Sequence, residues 1–235
     1  QYQAAAQPIL DRELESYRAR IRSAPDRGQA ALLMFQYITQ LSNARKLYTL
    51  VRETQAYLKQ LPPEAEQEIY IDSIAYILFQ TELSLYPEPD AALRDGEWFL
   101  KHFPKSAYFA TVKAAVEQTI EKKRSLEEAW RKVQAELPEK GKDDPWNYDY
   151  WNLCTVGWYL GYNTGHYAAA VRFLEACGNL GMQPWNEVYP LLVQASYYGK
   201  QWSDLRKHFE AWQKLDPVAA RAGFAPYQGS FPVDE

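Results

Sequence analysis

The chain has 235 residues, of which 47% are hydrophobic and 24% are charged, the balance of an ordinary folded protein. These values exclude a disordered chain, a collagen-like repeat and a small disulfide-rich protein. The net charge of −4 gives no general attraction for nucleic acid or anionic lipid, so no nucleic acid is expected as a partner. Aromatic residues make up 15% of the sequence and include 18 tyrosines, which is the unusual feature of the composition.

Hydrophobic residues recur with a period of about 3.6 along most of the chain, as they do in amphipathic helices. The first such segment, residues 9–21, places charged residues between apolar positions that share one face: Ile9, Leu10, Leu14, Tyr17 and Ile21. The same pattern predicts helices at residues 29–41, 44–61, 64–86, 91–103, 106–123 and 126–137. Alternating apolar and polar runs bounded by hairpin turns are missing from the sequence. We therefore predict an all-α protein of about eleven helices with short connections.

Capping residues and prolines predict where several helices begin and end. Asp90 is a candidate N-cap, and Ser125 with Glu128 forms a capping box that would start a new helix. Prolines follow four of the predicted helices, at positions 62–63, 87, 104 and 138.

The most apolar stretch of the chain spans residues 69–85. It is interrupted by Asp72, Gln80 and Glu82, whereas a membrane helix needs about 18 or more apolar residues with few charges. The stretch therefore predicts a buried helix, and direct insertion into a membrane is not expected.

The composition changes at a polar segment, residues 139–145. The first 145 residues contain 42 charged side chains and the last 90 contain 14, whereas 19 of the 35 aromatic residues lie in those last 90. We divide the chain into an N-terminal helical-hairpin region (1–138), two repeats (146–217) and a C-terminal tail (218–235), forming one continuous structural domain. The aromatic C-terminal third is either better buried or shaped to contact something.

Residues 151–185 match residues 186–220 when the sequence is shifted by 35 positions. The matched apolar positions pair Leu153 with Val188, Leu160 with Ala195, and Leu174 with Phe209. Each unit is predicted as a helix, a short turn with glycine (Gly165 or Gly199) and a second helix. The pattern of apolar positions is repeated more faithfully than the residues themselves.

These units resemble the tetratricopeptide repeat, a helix-turn-helix of about 34 residues. The resemblance rests on Leu153-x2-Val156-Gly157-x2-Leu160 in one first helix and on two second helices, Tyr167-x2-Ala170-x3-Leu174-x2-Cys177 and Trp202-x2-Leu205-x3-Phe209-x2-Trp212-x4-Pro217. The turns are one residue longer than in the family, and Leu192 and Leu205 stand where it has small residues. The resemblance implies antiparallel hairpins stacked as a right-handed superhelix, whose first helices line a concave groove.

The expected binding surface is the aromatic part of those first helices. The candidate residues are Trp151, Asn152, Trp158, Tyr159, Tyr162, Asn163, Tyr197 and Tyr198. Trp151, Trp158 and Tyr162 fall at helical spacing on one face, and we expect about half of the aromatic residues to be core. An extended peptide, a partner helix or a sugar ring stacked on tryptophan are all compatible with such a patch.

Catalytic and metal-binding motifs are missing from the sequence. His102, His166 and His208 are widely separated, and zinc-binding, nucleophile-elbow and phosphate-loop patterns do not occur. A Cys154–His166 dyad is conceivable, but Cys154 lies in an apolar helix where a thiol is inert. We therefore expect a non-enzymatic scaffold without metal or cofactor that binds a protein or peptide. The alternative is a small-ligand or glycan-binding helical module of a bacterial envelope system.

The cellular location and the state of the two cysteines stay open at this stage. Cys154 and Cys177 are either buried thiols or a disulfide across a helical hairpin, which would imply export. The sequence begins at Gln1, as it would after removal of a secretory signal or after trimming. Residues 100–108 resemble hairpin junctions of repeat proteins in bacterial envelopes. We expect a periplasmic or envelope location, with a cytoplasmic one as the alternative; the oligomeric state is undetermined.

Overall fold

The structure, a computed structural model, describes residues 2–62, 69–134, 148–181 and 183–227. Within these ranges the chain forms α-helices and a short 3-10 turn at Ala225–Tyr227, and no strand, which confirms the all-α prediction. None of the described helices has the length and apolarity that crossing a membrane requires. The helices are α1 Tyr2–Arg22, α2 Arg27–Asn43, α3 Leu47–Lys59, α4 Ile71–Leu85, α5 Asp90–His102, α6 Phe109–Val133, α7 Tyr148–Asn163, α8 Tyr167–Asn179, α9 Trp185–Tyr198, α10 Trp202–Leu215 and α11 Pro217–Phe224.

The chain separates into two compact units, residues 1–120 and 121–235. In each unit, helices that follow one another in the chain pack together. The predicted boundaries at residues 138 and 146 lie outside the described residues, and that division stays a prediction. Residues 217–227, which we assigned mainly to a tail, form α11 and the 3-10 turn.

One predicted helix start and one predicted N-cap are wrong. Ser125 lies in the middle of α6, which continues through both helices predicted at 106–123 and 126–137. This stretch contains no glycine or proline, and its lysine, arginine and glutamate residues favour helix. The helix therefore continues past the capping-box pattern. Asp90 is the first residue of α5 rather than its cap. The Glu88 carboxylate accepts a 2.7 Å hydrogen bond from the Asp90 backbone N–H instead.

The core of the first unit is formed by one apolar cluster to which α1 through α6 contribute. Its largest fully buried side chains include Tyr37, Phe79 and Phe99. A polar contact lies beside this core: Arg18 of α1 donates to both carboxylate oxygens of Glu53 in α3, at 3.1 and 2.6 Å. The hydroxyl of Tyr37 in α2 donates to the same carboxylate at 2.5 Å. This ion pair therefore connects three helices of the unit.

Cys154 of α7 and Cys177 of α8 are reduced thiols in the interior of the second unit and do not form a disulfide. Both are buried, and they pack in one cluster with partly buried neighbours that include Leu153 and Leu180. Contact with Cys154, together with burial, raises the pKa of the Cys177 thiol far above its ordinary value. The structure thus shows the first of the two alternatives, buried thiols that behave as small apolar residues.

The same three-residue turn joins the helices of three hairpins: α2–α3, α7–α8 and α9–α10. In each turn the last residue donates its backbone N–H to a carbonyl five residues earlier: Lys46 to Leu41 (2.9 Å), His166 to Gly161 (2.8 Å) and Gln201 to Ser196 (2.8 Å). The middle residue of each turn has a left-handed backbone. This bond satisfies a carbonyl at the end of the first helix, as in a Schellman motif. A hairpin of this type therefore occurs in both units.

Candidate functional site

The structure brings five of the predicted site residues together in the second unit. Trp158 and Tyr162 of α7 make an edge contact with ring centroids 6.4 Å apart, and Tyr162 contacts Tyr198 of α9 at 6.1 Å. Tyr159 contacts Trp158 at 6.2 Å, and Tyr197 contacts Tyr198 at 5.6 Å. These five residues are called the aromatic cluster below. Edge-to-face contacts of this kind stabilise aromatic groups beyond the area that they bury.

Members of the aromatic cluster differ in how far they reach solvent. Tyr159 is 46% exposed, whereas Trp158 is half-buried and its indole N–H has no hydrogen-bond partner among the described residues. Burial, and then the nearby Tyr198, Tyr227 and Tyr167, raise the pKa of Tyr162 far above its ordinary value. The other four rings of the aromatic cluster therefore form a support for Tyr159, and Tyr159 is the member that a partner can contact.

One face of α7 presents a stripe that we call the α7 face, formed by the exposed Asn152, Val156 and Tyr159 and the half-buried Asn163. These residues follow one another at spacings of four, three and four, which places them above one another on a helix. Val156 is 45% exposed, and the Asn163 side-chain amide donates to the Tyr159 carbonyl at 2.8 Å. Trp151 belongs to α7, but its side chain lies outside the described residues.

Val156 is a residue whose environment we predicted wrongly. The repeat pattern placed it among the apolar positions of the first helix, but the buried positions among residues 152–163 of α7 are Cys154, Gly157, Leu160 and Gly161. Val156 is therefore turned away from the interior. A Cβ atom on Gly157 would lie 2.7 Å from the Phe173 ring of α8, so this close approach selects glycine and fixes which face of α7 points inward.

A second polar arrangement lies between α8, α9 and α10. Glu175 Oε1 is contacted by Lys207 Nζ at 3.0 Å and His208 Nε2 at 3.1 Å, and His208 Nδ1 lies 3.5 Å from Ser196 Oγ. Burial opposes ionisation of Glu175, but its two partners hold the pKa below its usual range. The order serine, histidine, carboxylate is that of a hydrolytic triad, yet Ser196 is fully buried and unreachable by a substrate. We interpret this group as structural.

A cavity of about 310 Å³ adjoins that polar group. Trp185 and Tyr189 of α9 line it with their rings stacked at 5.0 Å, and Glu175 lines it too. An aromatic platform beside a carboxylate can hold a sugar ring or another flat polar ligand. Sequence reasoning missed Trp185, Tyr189 and Glu175 as a group, although the spacing of the two aromatic residues places them on one helical face.

The remaining sequence candidates are dispersed. His102 stacks on Trp98 and His166 stacks on Trp130, each with ring centroids 4.9 Å apart. In the described part of the chain, no three histidine, cysteine, aspartate or glutamate residues form a group that could hold a metal ion. The polar segment at residues 139–145 lies outside the described residues.

Comparison with known proteins identifies no family for this chain. No protein-family model matches it, and neither curated proteins nor solved structures gave a significant match. What the fold itself defines is a class: an all-α protein whose helices pack against their neighbours in chain order. The resemblance to the tetratricopeptide repeat therefore depends on residues of this chain alone.

Proposed function

We propose that this protein is a non-enzymatic helical-repeat scaffold of the tetratricopeptide type, which binds a protein or peptide in a concave groove. In this proposal the helical hairpins stack as a right-handed superhelix, and the first helices α7 and α9 line the groove. The observation that carries the proposal is the α7 face, an exposed valine and tyrosine supported by the half-buried rings of the aromatic cluster. The recurring hairpin turn supports the repeat architecture.

The chemistry of the α7 face suits a peptide. Val156 and Tyr159 offer adjacent apolar area, and Tyr159 adds a hydroxyl that can donate or accept a hydrogen bond. Asn152 and Asn163 at the two ends of the stripe carry amides that can pair with the backbone of an extended chain. Because the other four rings of the aromatic cluster are already packed, Tyr159 loses little freedom when a partner binds, which favours affinity.

The proposal is tested by capture of partners from an extract of the source cell, with mass spectrometry as the readout. Wild type is compared with Tyr159→Ala, which removes exposed area, and with Ile120→Ala as a control at a 47% exposed position in the other unit. We expect a protein that is captured by wild type and the control but lost with Tyr159→Ala. Equal capture by all three forms, each folded by circular dichroism, would contradict the proposal.

A second candidate function is the binding of a small ligand or glycan as part of a bacterial envelope system. The stacked Trp185–Tyr189 pair beside Glu175 favours it. Millimolar sugars would then shift the tryptophan emission of wild type but not of Trp185→Leu. A matched substitution outside this cavity, Trp202→Leu, should leave the shift intact. Location in the periplasm or envelope belongs to the same proposal and is tested by fractionation of the source cells.

A further inference from the structure

A glutamate of the first unit is fully buried with one of its two carboxylate oxygens unsatisfied within the described part of the chain. Glu82 of α4 is fully buried, and its Oε1 accepts a 2.7 Å hydrogen bond from the side-chain amide of Gln55 in α3. Its Oε2 has no hydrogen-bond donor among the described residues. An unpaired buried carboxylate oxygen is costly, so its retention needs an explanation.

Asp95 of α5 is the carboxyl group whose proximity contributes to raising the pKa of Glu82. Two carboxyl groups can share a hydrogen bond only when one of them carries a proton. Burial, and then Asp95, raise the pKa of Glu82 to about 8, while Arg94 and Gln55 oppose the shift. At neutral pH the pair therefore holds one proton and one negative charge.

A cavity of about 410 Å³ opens beside this pair, within the usual size range of small-ligand pockets. Asp95 and Gln55 line it, together with the apolar side chains of Leu58, Leu78 and Trp98. Lys59 and Arg94 line it as well. The Asp95 side chain is 19% exposed and that of Arg94 is 67% exposed, with 3.6 Å between Arg94 Nε and Asp95 Oδ1. The acidic lining group is therefore the more enclosed of the two, and the basic Arg94 lies nearer to solvent.

This charge distribution selects one class of ligand. A ligand that is only cationic would meet Lys59 and Arg94, and one that is only anionic would meet Asp95. A zwitterion satisfies both ends, and the apolar walls complement a hydrophobic side chain. We propose that the cavity between α3, α4 and α5 binds an α-amino acid with an apolar side chain, with its ammonium group against Asp95, the member of the Glu82–Asp95 pair that lines the cavity, and its carboxylate at Arg94.

Binding of this ligand changes the protonation of the pair. An ammonium group brings its own positive charge and three N–H donors, so the proton shared by Glu82 and Asp95 is no longer needed. That proton leaves to the buffer, and the pair remains as two carboxylates, of which Asp95 faces the ligand. Binding near neutral pH is therefore accompanied by release of up to one proton, and no covalent bond changes.

The proposal is tested by isothermal titration of the full chain at pH 7 in two buffers of different ionisation enthalpy. The probes are phenylalanine, phenylalaninamide without the carboxylate, and N-acetylphenylalanine without the charged amine. We expect phenylalanine to bind with proton release and the two blocked probes to bind at least tenfold more weakly. Absence of phenylalanine binding at millimolar concentration, or equal binding of the N-acetyl probe, would overturn the proposal.

Variants separate the two ends of the site. Asp95→Asn should weaken phenylalanine binding at least tenfold, Glu82→Gln should abolish proton release, and Glu97→Gln, an exposed control in α5, should change neither. If Asp95→Asn does not fold, the exposed Arg94→Gln decides: it should weaken binding of phenylalanine but not of phenylalaninamide. Equal effects on both probes would overturn the proposal. This site lies in the first unit, so the result is independent of the peptide-binding function proposed for the second.

Discussion

Arg45 and Lys200 occupy the same left-handed position in the turns of two helical hairpins, α2–α3 and α9–α10. Their φ angles are 55° and 54°, and the equivalent residue of the α7–α8 turn is Gly165 with φ 78°. Left-handed backbone costs a residue with a side chain about 1–2 kcal/mol relative to its usual conformations. The turn is therefore imposed on Arg45 and Lys200 by the packing of the helices on either side, and not by a local preference.

Replacing either residue with glycine should relieve this strain. We expect Arg45→Gly and Lys200→Gly each to raise the free energy of unfolding by about 0.5–1 kcal/mol, since glycine tolerates positive φ but gains freedom in the unfolded chain. Gly165→Ala should lower it by about 1–2 kcal/mol. Urea unfolding measures these changes.

The control is Lys122→Gly, at an exposed position inside α6 with helical backbone. This substitution should lower the free energy of unfolding by about 1 kcal/mol, the usual cost of glycine in a helix. If Lys200→Gly is as destabilising as this control, the left-handed turn does not carry the strain that we assign to it.

Glu82 should make the protein less stable as the pH rises. The folded protein retains the Glu82 proton up to about pH 8, whereas an unfolded glutamate loses it near 4.5. The contribution of Glu82 to stability is therefore fully present below pH 4.5, and it is lost as the pH rises through about 8. Relative to Glu82→Gln, wild type should lose about 2–4 kcal/mol of stability between about pH 5 and pH 9. A constant difference between the two proteins across this range would disprove the buried proton.

Glu53 should have the opposite pH dependence. Burial disfavours its charge, but the hydrogen bonds from Arg18 and Tyr37 hold its pKa below the usual range. Its contribution is therefore present above the ordinary pKa of 4.5 and is lost as the pH falls below that value. Tyr37→Phe should cost about 1 kcal/mol at pH 7 and less in acid. Urea unfolding at several pH values measures both effects, and a larger cost in acid would contradict the assignment.

The two cysteines should be unreactive in the folded protein. Cys154 and Cys177 are 0% and 2% exposed, and the pKa of Cys177 is raised, so little thiolate is available to a reagent. A colorimetric thiol reagent should not react with the native protein, and it should detect about two thiols per chain in denaturant. Rapid reaction without denaturant would show that the thiols are accessible. A protein without reactive thiols in denaturant would contain a disulfide instead.

The period of the apolar residues was sufficient to predict the fold class and most helix positions, because each helix buries one stripe. The errors arose where one local sequence pattern is compatible with two different structures. Ser125 carries a capping-box sequence, but a cap also needs an extended backbone, which neighbouring helix-forming residues do not allow. The α2–α3 hairpin was not recognised as a repeat because its turn, residues 44–46, contains no glycine, whereas the turns at 164–166 and 199–201 each contain one.

Sites formed between helices were harder to predict than the helices. Glu82 was visible only as an interruption of an apolar stretch, because the contacts that make it unusual come from Gln55 in α3 and Asp95 in α5. The aromatic cluster was predicted as a group, since its members lie at helical spacing. Which of them faces solvent depends on the Gly157–Phe173 approach, which no spacing within α7 reveals.

The central claim, that the α7 face binds a partner, is tested most directly by the affinity of the purified chain for a captured protein. Val156→Lys places a charge on that face, and Val218→Lys makes the same change at a 78% exposed position of α11. We expect Val156→Lys to weaken binding by at least tenfold, about 1.4 kcal/mol, and Val218→Lys to leave it unchanged. If Val156→Lys binds as tightly as wild type, the α7 face is not the binding surface.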